Sequence, residues 1–117
     1  MSDATSVDGW ITDFRLKLDA LDNSFIMHAM KTHGLKRITT NQVDIVKACY
    51  MVHKDGLSIT TNILSAVTGK GPVNLLATMH GLGDKRIIYL LGNDMQRLVW
   101  EMAPHFCNLL DEVTKNA

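Results

Sequence analysis

Apolar residues recur from the start of the chain at Val7, Ile11, Phe14, Leu18, Leu21 and Phe25, in steps that alternate four and three. That spacing lays one stripe along a helix face and predicts a single helix over 6–34. Trp10 widens the stripe near its start, and Ile26, Ala29 and Met30 widen it near its end. Gly34 is placed to stop the helix, with Lys31 and His33 in the last turn, where the macrodipole favours cations. At 1.5 Å per residue such a helix is about 40 Å long, more than a chain of this size covers alone. Part of the stripe is therefore expected to meet a second subunit, and the rest to join the chain's own core.

Thr39 and Gln42 have the spacing of a capping box, and Ile38 and Val43 that of a hydrophobic staple, which starts a helix at Thr40. Val43, Val46, Cys49 and Tyr50 line one side of it, and Asp55-Gly56 turns the chain after it. Leu57-Ser58-Ile59 alternates as a short strand does. Thr60 or Thr61 then caps a helix through Ile63, Leu64, Ala66 and Val67, and Thr68 to Gly71 breaks it. Pro72 suits the first position of a new helix, with Val73, Leu76 and Met79 inward, Asn74, Thr78 and Leu75 outward, and Gly81 at its end. Gly83 to Arg86 reads as a tight turn and Ile87 to Leu91 as a strand, together a hairpin with a very short wing. Asn93 and Gln96 repeat the capping-box spacing, so a last helix is predicted over 93–115. Its stripe is Met95, Leu98, Met102, Phe106, Leu109 and Val113, with a kink at Pro104.

The pattern is thus mainly α with a small β-hairpin: a winged helix-turn-helix over 39–92, flanked by long N- and C-terminal helices, in one domain over 1–117. Val7, Ile11, Phe14, Leu18, Leu21, Phe106, Leu109 and Val113 are the expected dimer interface. The composition, 46% apolar and 21% charged, is that of an ordinary globular chain. No apolar run reaches the ~20 residues of a membrane span, and the start lacks an export signal, so the cytoplasm is the expected location. The formal net charge is zero, which argues against a purely electrostatic binder, but its distribution is uneven. Residues 28–37 hold Lys31, Lys36 and Arg37 with no acid, and residues 54–86 hold Lys54, Lys70, Lys85 and Arg86 against Asp55 and Asp84. A basic middle between acidic ends is the polarity of a central nucleic-acid surface.

Cys49 and Cys107 share no metal-ligand spacing and fall among apolar neighbours, so buried, reduced thiols are expected rather than a redox sensor. The five histidines form no HxxxH or HExxH pattern, so neither a metal site nor a cofactor is expected. No motif pairs a nucleophile with a base, and Gly69-Lys70-Gly71-Pro72 lacks the ending of a phosphate loop; an enzyme is not expected.

In layout the chain resembles the MarR family of winged-helix transcription regulators. Ile38-Thr39-Thr40-Asn41-Gln42 is similar to that family's L-T-x-x-Q opening, and Asp84-x-Arg86 resembles its wing signature. The resemblance implies a dimeric repressor of double-stranded DNA. Two departures stand out: a short wing and a second motif helix without arginine. The family also offers a site for phenolic effectors between dimer helices and winged domain; no residues here establish one.

On this reading the helix from Pro72 enters a major groove, with Lys70 and Gly71 at a phosphate and Asn74 and Thr78 at base edges. Thr60 opens the first motif helix at the same surface. Lys85 and Arg86, at the wing tip, meet backbone or minor groove, and Lys36 and Arg37 reach flanking phosphates. For Asn74 and Thr78 plain surface polarity is the rival, and for Arg86 an ion pair with Asp84. A second function stays open: a winged-helix interaction module, such as an antirepressor or an inhibitor of another DNA-binding protein. Neutral charge, the arginine-free helix and an exposed Leu75 favour it.

Overall fold

The chain's first stripe divides between two helices. In the computed structural model, which describes residues 3–94 and 97–115, and side chains over 9–92 and 98–115, α1 is Asp3–Ala20 and α2 is Asn23–His33. The expected single helix over 6–34 is therefore corrected. Asp22 takes an extended conformation and accepts a hydrogen bond from Ser24 N at 2.9 Å, which caps α2 afresh. The buried Lys47 seals the break, donating to the Leu21 carbonyl at 3.3 Å and to Asn23 Oδ1 at 2.7 Å. The buried face then shifts, from Phe14 and Leu18 before the break to Ile26, Ala29 and Met30 after it. Gly34 closes α2 in the left-handed region (φ 119), as its position predicts, with Leu35 N reaching back to Met30 O.

Helix α3, Thr40–Lys54, is the centre of the core. Thr39 and Gln42 form the expected capping box, Gln42 N to Thr39 Oγ1 at 3.1 Å and Thr39 N to Gln42 Oε1 at 3.0 Å. From Ile45 to Tyr50 every residue of α3 is buried, because α2, α4 and α5 pack around it. Strand β1 (Ile59–Thr60) leads into α4 (Thr61–Thr68), which Thr60 caps. Gly69 (φ 74) ends α4, and Arg15 of α1 clamps that end by donating to the carbonyls of Val67 and Ala66 at 3.3 and 2.7 Å. Helix α5 is Pro72–Asp84, with Pro72 in its first turn as expected.

Two expectations after Gly81 are overturned. Helix α5 runs on through Gly81 to Asp84, so Gly83 to Arg86 is its C-terminal end rather than a hairpin turn. Lys85 N, Arg86 N and Ile87 N bond back to the last turn, and Arg86 adopts φ 63, where glycine would be cheaper. The hairpin lies further on: β2 is Ile88–Asp94 and β3 is Arg97–Met102, antiparallel, with Asp94 opposite Arg97 at the turn. The wing is thus not very short, and it occupies positions assigned to a helix from Asn93. Met95 and Gln96, parts of that expected helix, lie outside the described residues. The last helix, α6, is Pro104–Lys115. Pro104 opens it instead of kinking it, since the residue before a proline avoids helical geometry and Ala103 N is bonded to Ile87 O at 2.9 Å. The sheet order is β1-β3-β2, with a register shift between Leu90 and Gly92.

Candidate nucleic-acid interface

Helix α5 is held on its inner side by Leu75, Met79 and Leu82, each fully buried. Asn41 of α3 adds a hydrogen bond from Nδ2 to Thr78 Oγ1 at 2.7 Å. The inward set expected from sequence is therefore rotated: Leu75 is buried, Val73 is 81% exposed, and Thr78 faces α3. What α5 presents outward is Val73, Asn74, Ala77 and His80. Its first turn has no side-chain cap, Gly71 being the N-cap residue.

The expected contact residues fall into three groups. Gly71 and Asn74 are exposed on the first turn of α5, and Lys70 stands beside them. Lys70 is half-buried, with Nζ 3.5 Å from Asp44 Oδ2 of α3, so part of its charge is already matched. Ser65 Oγ bonds the Lys70 carbonyl at 2.8 Å and sets the turn between α4 and α5. Thr60 and Thr78 leave the surface set: Thr60 is buried with its hydroxyl on Ile63 N, and Thr78 is taken by Asn41. Lys85 and Arg86 are exposed but sit at the C-terminal end of α5, not at the wing tip. That end lies about 20 Å along the helix from Gly71. Lys36, Arg37 and Lys85 instead border one hollow of about 420 Å³. Among the described residues the ion pairs are Lys54–Asp111 and Lys70–Asp44, so the expected rival Asp84–Arg86 pair is not formed.

The place missed from sequence is the end of the hairpin, where Asp94 pairs with Arg97 along the backbone. Asp94 and Arg97 flank the turn between β2 and β3, a place at the tip that Asp84 and Arg86 were expected to hold. The clue was the cluster Gly92-Asn93-Asp94, a turn signal that the capping-box spacing of Asn93 and Gln96 masked.

The candidate interface residues of the terminal helices also separate. Phe14, Leu18 and Phe106 are buried within the chain's own core, which removes them from a subunit surface. Ile11, Leu21, Leu109 and Val113 stay half-buried. The Val7 side chain lies outside those described. Leu109 and Val113 line an open groove of about 620 Å³ between α2 and α6, together with Phe25, His28 and Glu112. Desolvation pushes the Cys49 thiol up to about 12 and raises that of Cys107, so both are protonated at neutral pH.

Comparison with solved structures decides the fold. Over 99% of this chain and 76% of the other, it superposes with a TM-score of 0.58 on MepR, a transcription regulator of the Staphylococcus aureus multidrug efflux pump MepA, at 14% identity. The chain has the MarR-like winged-helix fold. The MepR–DNA complex matches with a TM-score of 0.59 at 16% identity, covering 79% of this chain and 72% of that one. A mutant MepR from a multidrug-resistant S. aureus clinical isolate gives 0.57 at 15% identity, over 99% of this chain and 76% of that one. No family model matches the sequence, and no curated protein does. In this fold α4 and α5 are the helix-turn-helix, β2 and β3 the wing, and α1, α2 and α6 the helices around them. Among the described residues no helix is long and apolar enough to cross a membrane.

Proposed function

We propose that the chain is a homodimeric transcription regulator that binds double-stranded DNA and represses by occupying it. The observation that carries this reading is the outward face at the start of α5, where Gly71, Asn74 and Ala77 are exposed on an uncapped helix end next to Lys70. A helix of this kind enters a major groove by its N-terminal turns, with free N–H groups toward a phosphate. Asn74 reads a base edge, Val73 contacts a thymine methyl, and the wing with Arg97 follows the backbone or minor groove. That a protein of the same fold has been solved with DNA supports the reading. The second copy docks along the α2–α6 groove through Phe25, Leu109 and Val113.

A titration of labelled duplex from beside the chain's own gene, with random duplex as control, tests the proposal. Asn74→Ala is expected to cost about 1–3 kcal/mol on the preferred duplex alone. Arg97→Ala is expected to weaken both duplexes and lower the salt slope by about one. Equal affinity of the native chain for both duplexes would refute sequence reading. A second function has one specific observation in its favour: Val73, 81% exposed on an arginine-free α5, suits contact with another protein. Absence of any duplex binding at about 50 mM salt selects that module.

A further inference from the structure

We propose that the hollow between the α2–α3 loop and the C-terminal end of α5 binds an oxyanion of the phosphate class. Gly34, Leu35, Lys36, Arg37 and Lys85 border it, so three cations and no carboxylate face a space of about 420 Å³. Among the described residues Arg15 and Lys47 donate to neutral oxygens, and Lys54 and Lys70 pair with carboxylates. The side chains of Lys36, Arg37 and Lys85, like those of Lys17, Lys31, Arg86 and Lys115, have no hydrogen bond or ion pair among the described residues, and only the first three border one hollow.

The frame of the hollow is fixed. Gly34 turns in the left-handed region and Leu35 is buried, which anchors the loop. His33 donates from Nε2 to the Lys85 carbonyl at 2.8 Å and stacks on His105 of α6 at 5.2 Å. Arg86, next in the chain, is kept in the left-handed region although glycine would fit there without strain.

A rival role for these cations is to neutralise the C-terminal ends of α2 and α5. Each end carries roughly half a negative charge. Together with Asp84 they offset about two of the four positive charges of Lys36, Arg37, Lys85 and Arg86, leaving a surplus of about two. That surplus suits a phosphate dianion. A guanidinium and two ammonium groups supply charge-assisted donors enough for three oxygens of a phosphate. Leu35 is the one large apolar residue on the wall, which disfavours a bulky apolar ligand. Because α5 separates the hollow from Gly71 by about 20 Å, the site is distinct from the proposed DNA face.

The test follows backbone amide NMR shifts of the full chain during titration with inorganic phosphate, and separately with a random-sequence duplex. Phosphate is expected to move residues 34–37 and 85–87 saturably, and to bind at least about tenfold more weakly to the folded triple variant Lys36→Gln, Arg37→Gln, Lys85→Gln. No saturable shift, or the same shifts in the variant, overturns the inference. Displacement of phosphate from these residues by the duplex would also overturn it, since the cations would then belong to a nucleic-acid footprint. Duplex shifts confined to the start of α5 and the wing support two separate sites. A duplex that binds nowhere, while phosphate still saturates the hollow, refutes the DNA reading and leaves this one standing.

Discussion

Asp111 shows how a single side chain ties the last helix to the centre of the fold. Tyr50 Oη donates to its Oδ1 at 2.5 Å, and Lys54 Nζ approaches the same oxygen at 3.2 Å. The Tyr50 bond, followed by the Lys54 contacts, holds the Asp111 carboxyl below its ordinary value of 3.8, against the opposing effect of burial. A carboxylate with a lowered folded-state pKa favours folding above its unfolded value. Its contribution disappears as pH falls through the folded value. The Lys54 and Asp111 side chains are 49% and 41% exposed, so their ion pair adds little and the tyrosine bond is the larger part. Tyr50→Phe is expected to cost about 1 kcal/mol at neutral pH and to flatten the loss of stability on acidification below 3.8. Urea midpoints from about pH 6 to about pH 2 check it. Parallel curves for the two proteins would remove Asp111 from the acid response.

Among the elements, the break between α1 and α2 has the clearest physical cause. A stripe at four-three spacing runs through Leu21 without a gap, yet Asp22 and Ser24 form a cap inside it. Lys47 then supplies the donor that the broken helix lacks. The residue is 7% exposed, and its ammonium would be costly to bury without those two acceptors. Lys47→Met keeps most of the side-chain volume and leaves the Leu21 carbonyl and Asn23 amide without a donor. A loss of about 1–2 kcal/mol is expected by chemical denaturation, with faster amide exchange over residues 21–26. Unaltered stability would mean that Asp22 alone sets the break. The hairpin and α6 carry the opposite lesson. Met95, Leu98 and Met102 fit a helix by spacing, but Leu98, Trp100 and Met102 equally fit one face of a strand. The pairing of β3 with both β1 and β2 chose the strand.

At the level of the whole molecule, an open groove of about 620 Å³ between α2 and α6 leaves the half-buried Phe25, Leu109 and Val113 at the surface. The interface expected from sequence spanned both terminal stripes, but Phe14, Leu18 and Phe106 are consumed internally. Ile11, Leu21, Leu109 and Val113 remain half-buried, and the last two line the groove together with Phe25. Sedimentation equilibrium is expected to give twice the chain mass of 13.0 kDa. Phe25→Ser with Val113→Ser is expected to give a folded monomer, because both side chains are only half-buried in the single chain. A native chain that is monomeric at high concentration, or a double variant that remains dimeric, would remove this groove from the assembly.

The features legible in the sequence were the local ones. Thr39 with Gln42, Gly34, Gly69 and Pro72 announced helix ends because a cap is satisfied within a few residues of chain. Helix, turn and helix in the order of a winged domain followed from them. The tertiary structure decided everything that depended on which of two periods, or which of two faces, found a partner. It turned Leu75 and Thr78 inward and Val73 outward, because α3 offers Asn41 and an apolar wall on that side. It moved the wing tip from Asp84–Arg86 to the turn between Asp94 and Arg97, because strand pairing with β1 outweighed a helical stripe. It gathered Lys36 and Arg37 with Lys85, far away in the chain, around one hollow. Such choices depend on burial and on contacts distant in sequence, and a periodic pattern records neither.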